Sequence, residues 1–144
     1  MNLVDVNLLI YAINSDSPHH EKARRWLEGA LSGTESVGLA WIVLLAFLRI
    51  TTRPRLLERP LSTAAAIGFI DSWLRQGNVE LVVPGENHWM LLRTLISTAG
   101  TAGNLTSDAH LAALAIEGGW TLVSTDHDFR RFTGLSFLNP LDPQ

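Results

Sequence analysis

Short apolar segments alternate with longer segments of helical periodicity along the whole chain. Strand-length segments fall at residues 3–6, 37–40, 79–83 and 121–124, with a last edge strand at 137–138. Between them, apolar residues recur at helical spacing and glycine or proline marks several ends, which predicts helices at 7–13, 19–31, 41–51, 62–76, 88–99 and 106–117. This alternation is typical of a parallel sheet covered by helices on both faces. We therefore predict an α/β fold.

No repeat, low-complexity tract or Pro/Gly-rich linker divides the chain, so we predict a single domain over residues 1–144. The chain has no cysteine, which fits a reducing compartment. The apolar start is interrupted by Asp5 and Asn7, and no basic residues precede it, so a signal peptide is not expected. No apolar run approaches the roughly 18 residues that a membrane span needs. We expect a soluble, cytoplasmic protein.

The charge balance argues against a protein that coats nucleic acid. The net charge is −3 and the pI is about 5.9, whereas such domains usually have a pI above about 9. An enzyme needs only a local basic patch, and the arginines form two clusters. These candidate phosphate contacts are Arg49, Arg53, Arg55 and Arg59 in one segment and Arg130 and Arg131 in another.

Four aspartates fall where chemistry is expected on such a sheet. Asp5 ends the first strand, and Asp126 and Asp128 follow the strand at 121–124. Asp108 opens the helix that leads into that same strand. Ligands bind beyond the carboxyl ends of parallel strands, where the strand order reverses. The four side chains would meet there if the first and fourth strands were neighbours, which spacing alone leaves open.

Each aspartate also has a purely structural interpretation. Asp108 can favour the positive end of its helix, and Asp126 and Asp128 can form a turn. Asp5 can cap the next helix, but it lies among apolar residues, where an unpaired carboxylate is costly.

Taken together, the aspartates favour a metal site. Carboxylates within about 5 Å of one another raise one another's pKa, so such a cluster needs a cation. Oxygen ligands without cysteine select a hard ion, Mg²⁺ or Mn²⁺. Because such an ion activates water and orients phosphodiesters, cleavage of a nucleic-acid backbone is the leading reaction class.

Four segments resemble the PIN-domain nucleases, in particular the VapC toxins of bacterial type II toxin–antitoxin pairs. They span almost the whole chain in the family's order and read VDVNLLIYA, HHEKARRWL, AGNLTSDAHLAALAIEGGWTLVSTDHDF and LSFLNPL. The resemblance implies a five-stranded parallel sheet, Mg²⁺-dependent endoribonuclease activity, frequent homodimerisation and inhibition by a cognate VapB antitoxin. Asp5, Asp108 and Asp126 match the family's acidic positions, and Asp128 matches an additional, less uniform one.

One position departs from the family pattern. A glutamate is frequent in the helix after the second strand, where this chain reads WIVLLAFLRI with Ala46. Arg49 lies three residues on, hence on the same helix face, and is predicted to contact the substrate phosphate. The alternative is a surface arginine.

Further polar residues complete the predicted site. Asn7 adjoins Asp5, and Asn104 lies in a glycine-containing loop close to Asp108. We predict that Asn7, Asn104 and Thr125 bind substrate, although Asn104 can also serve as a left-handed turn residue. Ser124 and Thr125 can hold water or phosphate, or cap the turn. The five histidines lack zinc-ligand spacing, and the five tryptophans are interpreted as core or dimer interface.

Two other functions are alternatives to the nuclease. An aspartate-based phosphotransferase or phosphatase would have a second acid two residues after its nucleophile and a lysine nearby. Here Asn7 takes that position, and the only lysine is Lys22. A catalytically weakened PIN-fold module that binds RNA or protein stays open because of Ala46, although four retained aspartates argue against it.

Overall fold

Five parallel strands form one sheet in the computed structural model, which describes residues 1–143. The strands are β1 (Asn2–Val4), β2 (Val37–Ala40), β3 (Val79–Val82), β4 (Thr121–Val123) and β5 (Phe137–Leu138). Their order across the sheet is β3-β2-β1-β4-β5, and every neighbouring pair is parallel. The predicted α/β fold with a parallel sheet of about five strands is confirmed.

Six helices flank this sheet. They are α1 (Val6–Ile13), α2 (His20–Ser32), α3 (Trp41–Thr52), α4 (Thr63–Leu74), α5 (His88–Ala99) and α6 (Thr106–Gly118). Helix α1 packs against α2 and α3, α3 packs against α4, and α5 packs against α6. Two short 3₁₀ helices, Gly103–Leu105 and His127–Arg131, precede α6 and follow β4. Within residues 1–143, no helix has both the length and the apolar character needed to cross a membrane.

Most element boundaries lie within two residues of the prediction, and local chemistry explains the differences. The first strand was predicted to include Asp5, but it ends at Val4 because the Asp5 carboxylate accepts a hydrogen bond from Val6 N and caps α1. Helix α4 begins after Ser62, as predicted, because the Ser62 hydroxyl accepts from Ala65 N. It ends at Leu74, two residues before the predicted end.

The core lies on both faces of the central strands. Leu3, Val4, Leu122 and Val123 of β1 and β4 are fully buried. Helix α6 buries every residue from 111 to 115, as expected for a helix enclosed on all sides. Gly38 in β2 allows Trp120 to pack closely, because a Cβ there would lie only 3.1 Å from the indole ring. This packing fixes the strand ends that carry the polar residues.

The strand order places the predicted site. The chain winds from β1 to β2 and β3 on one side, then crosses to β4 and β5 on the other. The order therefore reverses between β1 and β4, which pair directly with Val4 opposite Val123. The adjacency of the first and fourth strands, which the sequence left open, is therefore present, and a crevice at such a switch point is where α/β sheets bind ligands.

Candidate active site

Asp5 connects β1 to α1 at the centre of the sheet and is almost fully buried. Its Oδ1 accepts from Val6 N at 2.8 Å, and its Oδ2 accepts from the Ser124 hydroxyl at 2.6 Å. Burial raises the pKa of the Asp5 carboxyl, the two hydrogen bonds lower it, and the nearby Asp126 charge raises it again. The pKa remains above its ordinary value, so the surroundings disfavour the ionised form. Asp5 thus caps α1 and also lies at the carboxyl end of β1, where the site is predicted.

Ser124 links the ends of β1 and β4. Its side chain is fully buried directly after β4. Besides donating to Asp5, its Oγ accepts from Asp126 N at 3.0 Å and from Asn7 Nδ2 at 3.4 Å. One hydroxyl thus contacts the Asp5 carboxylate, the Asn7 side-chain amide and the Asp126 backbone N–H. The buried Oδ1 of Asn7 has no hydrogen-bond partner in the described chain.

Asp126 and Asp128 lie on the 3₁₀ helix after β4. Asp126 caps this helix, because its Oδ1 accepts from Asp128 N at 2.9 Å. Asp126 is partly buried, whereas Asp128 is exposed. The predicted turn geometry is therefore present, and the charges of both residues raise the pKa of Asp108.

Asp108 occupies the first turn of α6 and is partly buried. Burial raises the pKa of its carboxyl to about 6, and the negative charges of Asp126, Asp5 and Asp128 contribute in that order. The Arg131 guanidinium acts in the opposite direction and lowers the pKa. The structure thus brings the four predicted aspartates within electrostatic reach of one another, and one arginine compensates them only in part.

The carboxylate and amide oxygens suit a hard divalent ion, although the side chains do not converge on one point. Across residues 1–143, no group of three or more acidic or histidine side chains is arranged to hold a metal as it stands. Mutual repulsion of like charges disfavours close approach without a counter-ion. The fit rests instead on the chemistry present: carboxylates from three chain segments, a raised pKa at Asp5 and Asp108, and the orphaned Asn7 Oδ1.

Two of the four predicted substrate-binding residues lie next to Ser124, and the other two are exposed. Asn7 contacts Ser124 in the site, and Thr125 lies partly buried between Ser124 and Asp126. Asn104 is exposed on the 3₁₀ helix before α6, where the left-handed conformation belongs to Gly103 rather than to Asn104. Arg49 is exposed near the end of α3. Asn7 is linked to Asp5 indirectly, through the Ser124 hydroxyl, and the roles of all four residues stay predictions.

Two residues are more prominent in the structure than in the sequence prediction. Ser124 was considered together with Thr125, but its hydroxyl alone joins the strand ends. Arg131 was one of six candidate phosphate contacts, yet it is the cation that acts on Asp108. A polar residue at the end of an otherwise buried strand was the available signal for Ser124. No sequence signal separated Arg131 from Arg130.

Known proteins match the chain over nearly its full length. The PIN domain family matches residues 3–135. Ribonuclease VapC37 of Mycobacterium tuberculosis is 46% identical over 140 residues, which cover 97% of both chains. Ribonuclease VapC33 of the same organism is 40% identical over 141 residues, covering 98% of this chain and 99% of the relative.

Solved structures share the fold at much lower identity. VapBC2 from Rickettsia felis, bound to a promoter DNA fragment, has a TM-score of 0.70 at 18% identity and covers 96% of this chain and 97% of that one. Mycobacterium tuberculosis VapC20, a Sarcin-Ricin loop cleaving toxin, has a TM-score of 0.65 at 19% identity, with coverage of 94% and 99%. The chain belongs to the PIN-domain family and, within it, to the VapC ribonucleases.

Proposed function

We propose that the chain is a Mg²⁺-dependent endoribonuclease, with Mn²⁺ as a substitute ion, that acts as the toxin of a VapBC pair. One observation supports this proposal: Asp126, Asp5 and Asp128 all raise the pKa of Asp108 beside the topological switch point, and Arg131 lowers it only in part. The hydrogen bonds that Asp5 and Asp126 accept leave their negative charge in place. Carboxylates grouped at a ligand-binding edge are suited to a divalent ion.

Asp5, Asp108 and Asp126 would hold the ion, with Asp128 as a further ligand. When bound, the ion supplies activation of water and stabilisation of charge on a phosphodiester. The chain's own contribution is orientation. Ser124 donates to the Asp5 carboxylate and accepts from the Asp126 backbone N–H, so it links Asp5 to the backbone that carries Asp126, while Asp108 lies on α6. The raised pKa of Asp108 means that ionisation of this residue is coupled to neutralisation of the cluster.

RNA is the proposed substrate because the relatives are named ribonucleases and because arginines flank the acids. Arg131 acts on Asp108, and Arg130 is exposed beside it. Of the other cluster, Arg59 is engaged by Asp16, whose carboxylate accepts its Nε and Nη2 at 3.0 and 2.8 Å. Arg49, Arg53 and Arg55 are exposed. These arginines are suited to phosphate contacts that position the strand.

A VapB-type antitoxin and a second copy of the chain are the proposed protein partners. The neighbours in the solved structures are largely VapBC complexes. Large apolar side chains on two helices support self-association: Trp41 and Leu45 share one face of α3, and Trp89 and Met90 begin α5. Trp89 is 65% exposed and Trp41 is 55% exposed. Side chains of this kind are enriched at protein interfaces, and analytical ultracentrifugation of the isolated chain tests the homodimer.

Cleavage of a mixed RNA pool tests the enzymatic proposal. The purified chain is incubated with RNA in EDTA, then with Mg²⁺ or Mn²⁺ restored. Discrete fragments that appear only with a divalent ion support a metal-dependent endoribonuclease. Binding of RNA without cleavage under every ion condition would instead favour the weakened binding module that Ala46 leaves open. Cleavage in EDTA would refute the metal assignment.

A further inference from the structure

A pocket of about 440 Å³ lies between β5, the 3₁₀ helix after β4 and the C-terminal tail. Its walls include Arg130, Phe137, Asn139 and Asp142. Ser124 N donates to Leu138 O at 3.1 Å, so the residue after β5 lies level with Ser124 after β4. The pocket, called here the tail pocket, is lined by Arg130 of the same 3₁₀ helix that carries Asp128.

The tail pocket brings an aromatic ring together with the Arg130 guanidinium and the neighbouring His127 imidazole. The Arg130 guanidinium lies 5.7 Å from the centroid of the Phe137 ring. The His127 ring is tilted toward the same ring at a centroid distance of 6.5 Å. The Arg130 and His127 nitrogens approach one carboxylate oxygen of Asp142 at 4.0 and 3.9 Å. An oxyanion thus already occupies the point that these two side chains share.

This arrangement differs from the metal site in what it can bind. The aspartates attract cations, whereas Arg130 and His127 carry nitrogen groups that can donate to an anion, and Phe137, with Arg130 over its ring, forms an aromatic wall of the pocket. Aromatic and guanidinium planes bind nucleobases with little sequence preference, and arginine binds phosphate oxygens. A flexible single strand that carries both groups in every residue matches the pair.

We propose that the tail pocket binds one nucleotide of the RNA strand next to the cleaved phosphodiester. Its base stacks against Phe137 and Arg130, and its phosphate takes the place of the Asp142 carboxylate beside Arg130 and His127. This subsite rests on the proposed ribonuclease function. It assigns Phe137 and Arg130 as residues that position the substrate rather than act on the reacting atoms.

Steady-state cleavage of a short single-stranded RNA tests the subsite with Mg²⁺ present. The variants are Phe137→Leu, which keeps the apolar contact with Phe129 but removes the ring, and Arg130→Gln. Arg75→Gln is the matched control, because Arg75 is exposed just before β3 and thus lies at the opposite edge of the sheet. Melting curves establish that each variant is folded.

Phe137→Leu is expected to raise KM about tenfold through lost stacking, with the salt dependence of KM unchanged. Arg130→Gln is expected to raise KM and to flatten the slope of log KM against log salt by about 0.7, the value for one phosphate contact on a single strand. In both variants the loss falls mainly on KM. Phe137→Tyr restores a ring and should recover most of the affinity.

Two results separate the subsite from the proposed function. If the unmodified chain cleaves RNA but both variants keep the KM of Arg75→Gln, the tail pocket does not bind the strand. If the losses fall on kcat alone, the residues act on the site and not on a bound nucleotide, which also overturns the subsite. Failure of the unmodified chain to cleave any RNA would refute the ribonuclease itself.

Discussion

The pKa values of carboxylates on the outer surface and at the edge of the sheet are shifted in opposite directions. On α2, Arg24 pairs with Glu21 at 3.1 Å and Glu28 at 2.9 Å, and the pKa of Glu21 is lowered by its hydrogen bond with Arg24. At the edge of the sheet, the pKa of Asp5 and of Asp108 is raised by burial and by neighbouring acids.

The opposite pKa shifts show which carboxylates the fold compensates fully and which it does not. Glu21 and Glu28 have a guanidinium partner within one helical turn, an arrangement that costs little and stabilises little. At the switch point, Arg131 offsets the raised pKa of Asp108 only in part, although burial makes compensation more valuable. For the proposed divalent ion, this electrostatic cost would favour binding.

Removal of a site carboxylate should have the largest effect. Asp5→Asn and Asp108→Asn are each expected to reduce the rate of RNA cleavage at least about a hundredfold, because each removes a charge that would hold the ion. Both variants should remain folded, as circular dichroism can verify. Asp71→Asn on α4 is the matched control, since Asp71 is exposed. Wild-type turnover in either site variant would show that the aspartates have been misassigned.

Metal should stabilise the fold through the same residues. An ion that binds only the native cluster adds about 2.7 kcal/mol when its concentration is a hundred times its Kd. Calorimetric melts with Mg²⁺ or Mn²⁺ should show a higher Tm for the unmodified chain and for Asp71→Asn. Asp5→Asn should lose most of that gain. Equal shifts in all three proteins would place the metal elsewhere.

The pH dependence of the metal-free protein should distinguish the two kinds of carboxylate. The pKa of Asp108 is about 6 in the fold against an ordinary 3.8, so folding favours its protonated form. The stability this contributes is present below pH 3.8 and is lost as the pH rises through about 6. Because Asp108 is half exposed, we expect about 1 kcal/mol after allowance for solvent screening.

Asp108→Asn removes this dependence. At pH 7 to 8 without metal, the variant should therefore be more stable than the unmodified chain, and the two should converge at about pH 4. Urea denaturation across this range measures the difference. A variant less stable than the parent at neutral pH would mean that Asp108 forms a stabilising interaction in its ionised form.

The position that lacks the family's glutamate offers a smaller test. Ala46 is partly buried on α3, three residues before Arg49. Ala46→Glu is expected to tighten Mn²⁺ binding roughly threefold, because an added oxygen ligand attracts the ion more than it repels its neighbours. Calorimetric titration against Ala64→Glu, an exposed position on α4, provides the comparison. Equal affinities in the two variants would mean that position 46 does not face the ion.

The smallest effect should come from a compensated acid. Arg59 lowers the pKa of Asp16 through its hydrogen bond, so the ionised form is favoured by folding. This contribution is present above the ordinary pKa of 3.8 and is lost as the pH falls through the lowered value. Asp16→Asn should lower Tm slightly at neutral pH, the opposite of Asp108→Asn. A rise in Tm would break the contrast between the two regions.

Much of the fold could be read from periodicity because burial imposes it. The near-continuous apolar strands and the helical spacing of α4 and α6 reflect a sheet enclosed by helices, and their boundaries follow Gly118, Pro54 and the Ser62 cap. The end of β1 was missed because Asp5 serves two roles: it belongs to an apolar run, yet it caps the next helix.

The candidate site also combines features that the sequence determined with features that only the tertiary structure decided. Sequence alone determined that Asp5, Asp108, Asp126 and Asp128 follow or precede short buried strands, because local propensity and burial act over a few residues. Only the tertiary structure decided that β1 and β4 are neighbours, since strand order depends on which faces pack. It likewise decided that Ser124 joins Asp5 to Asp126, that Arg131 acts on Asp108, and that the C-terminal tail meets Arg130. These contacts join residues far apart in the chain, and distance in space is set by packing rather than by sequence spacing.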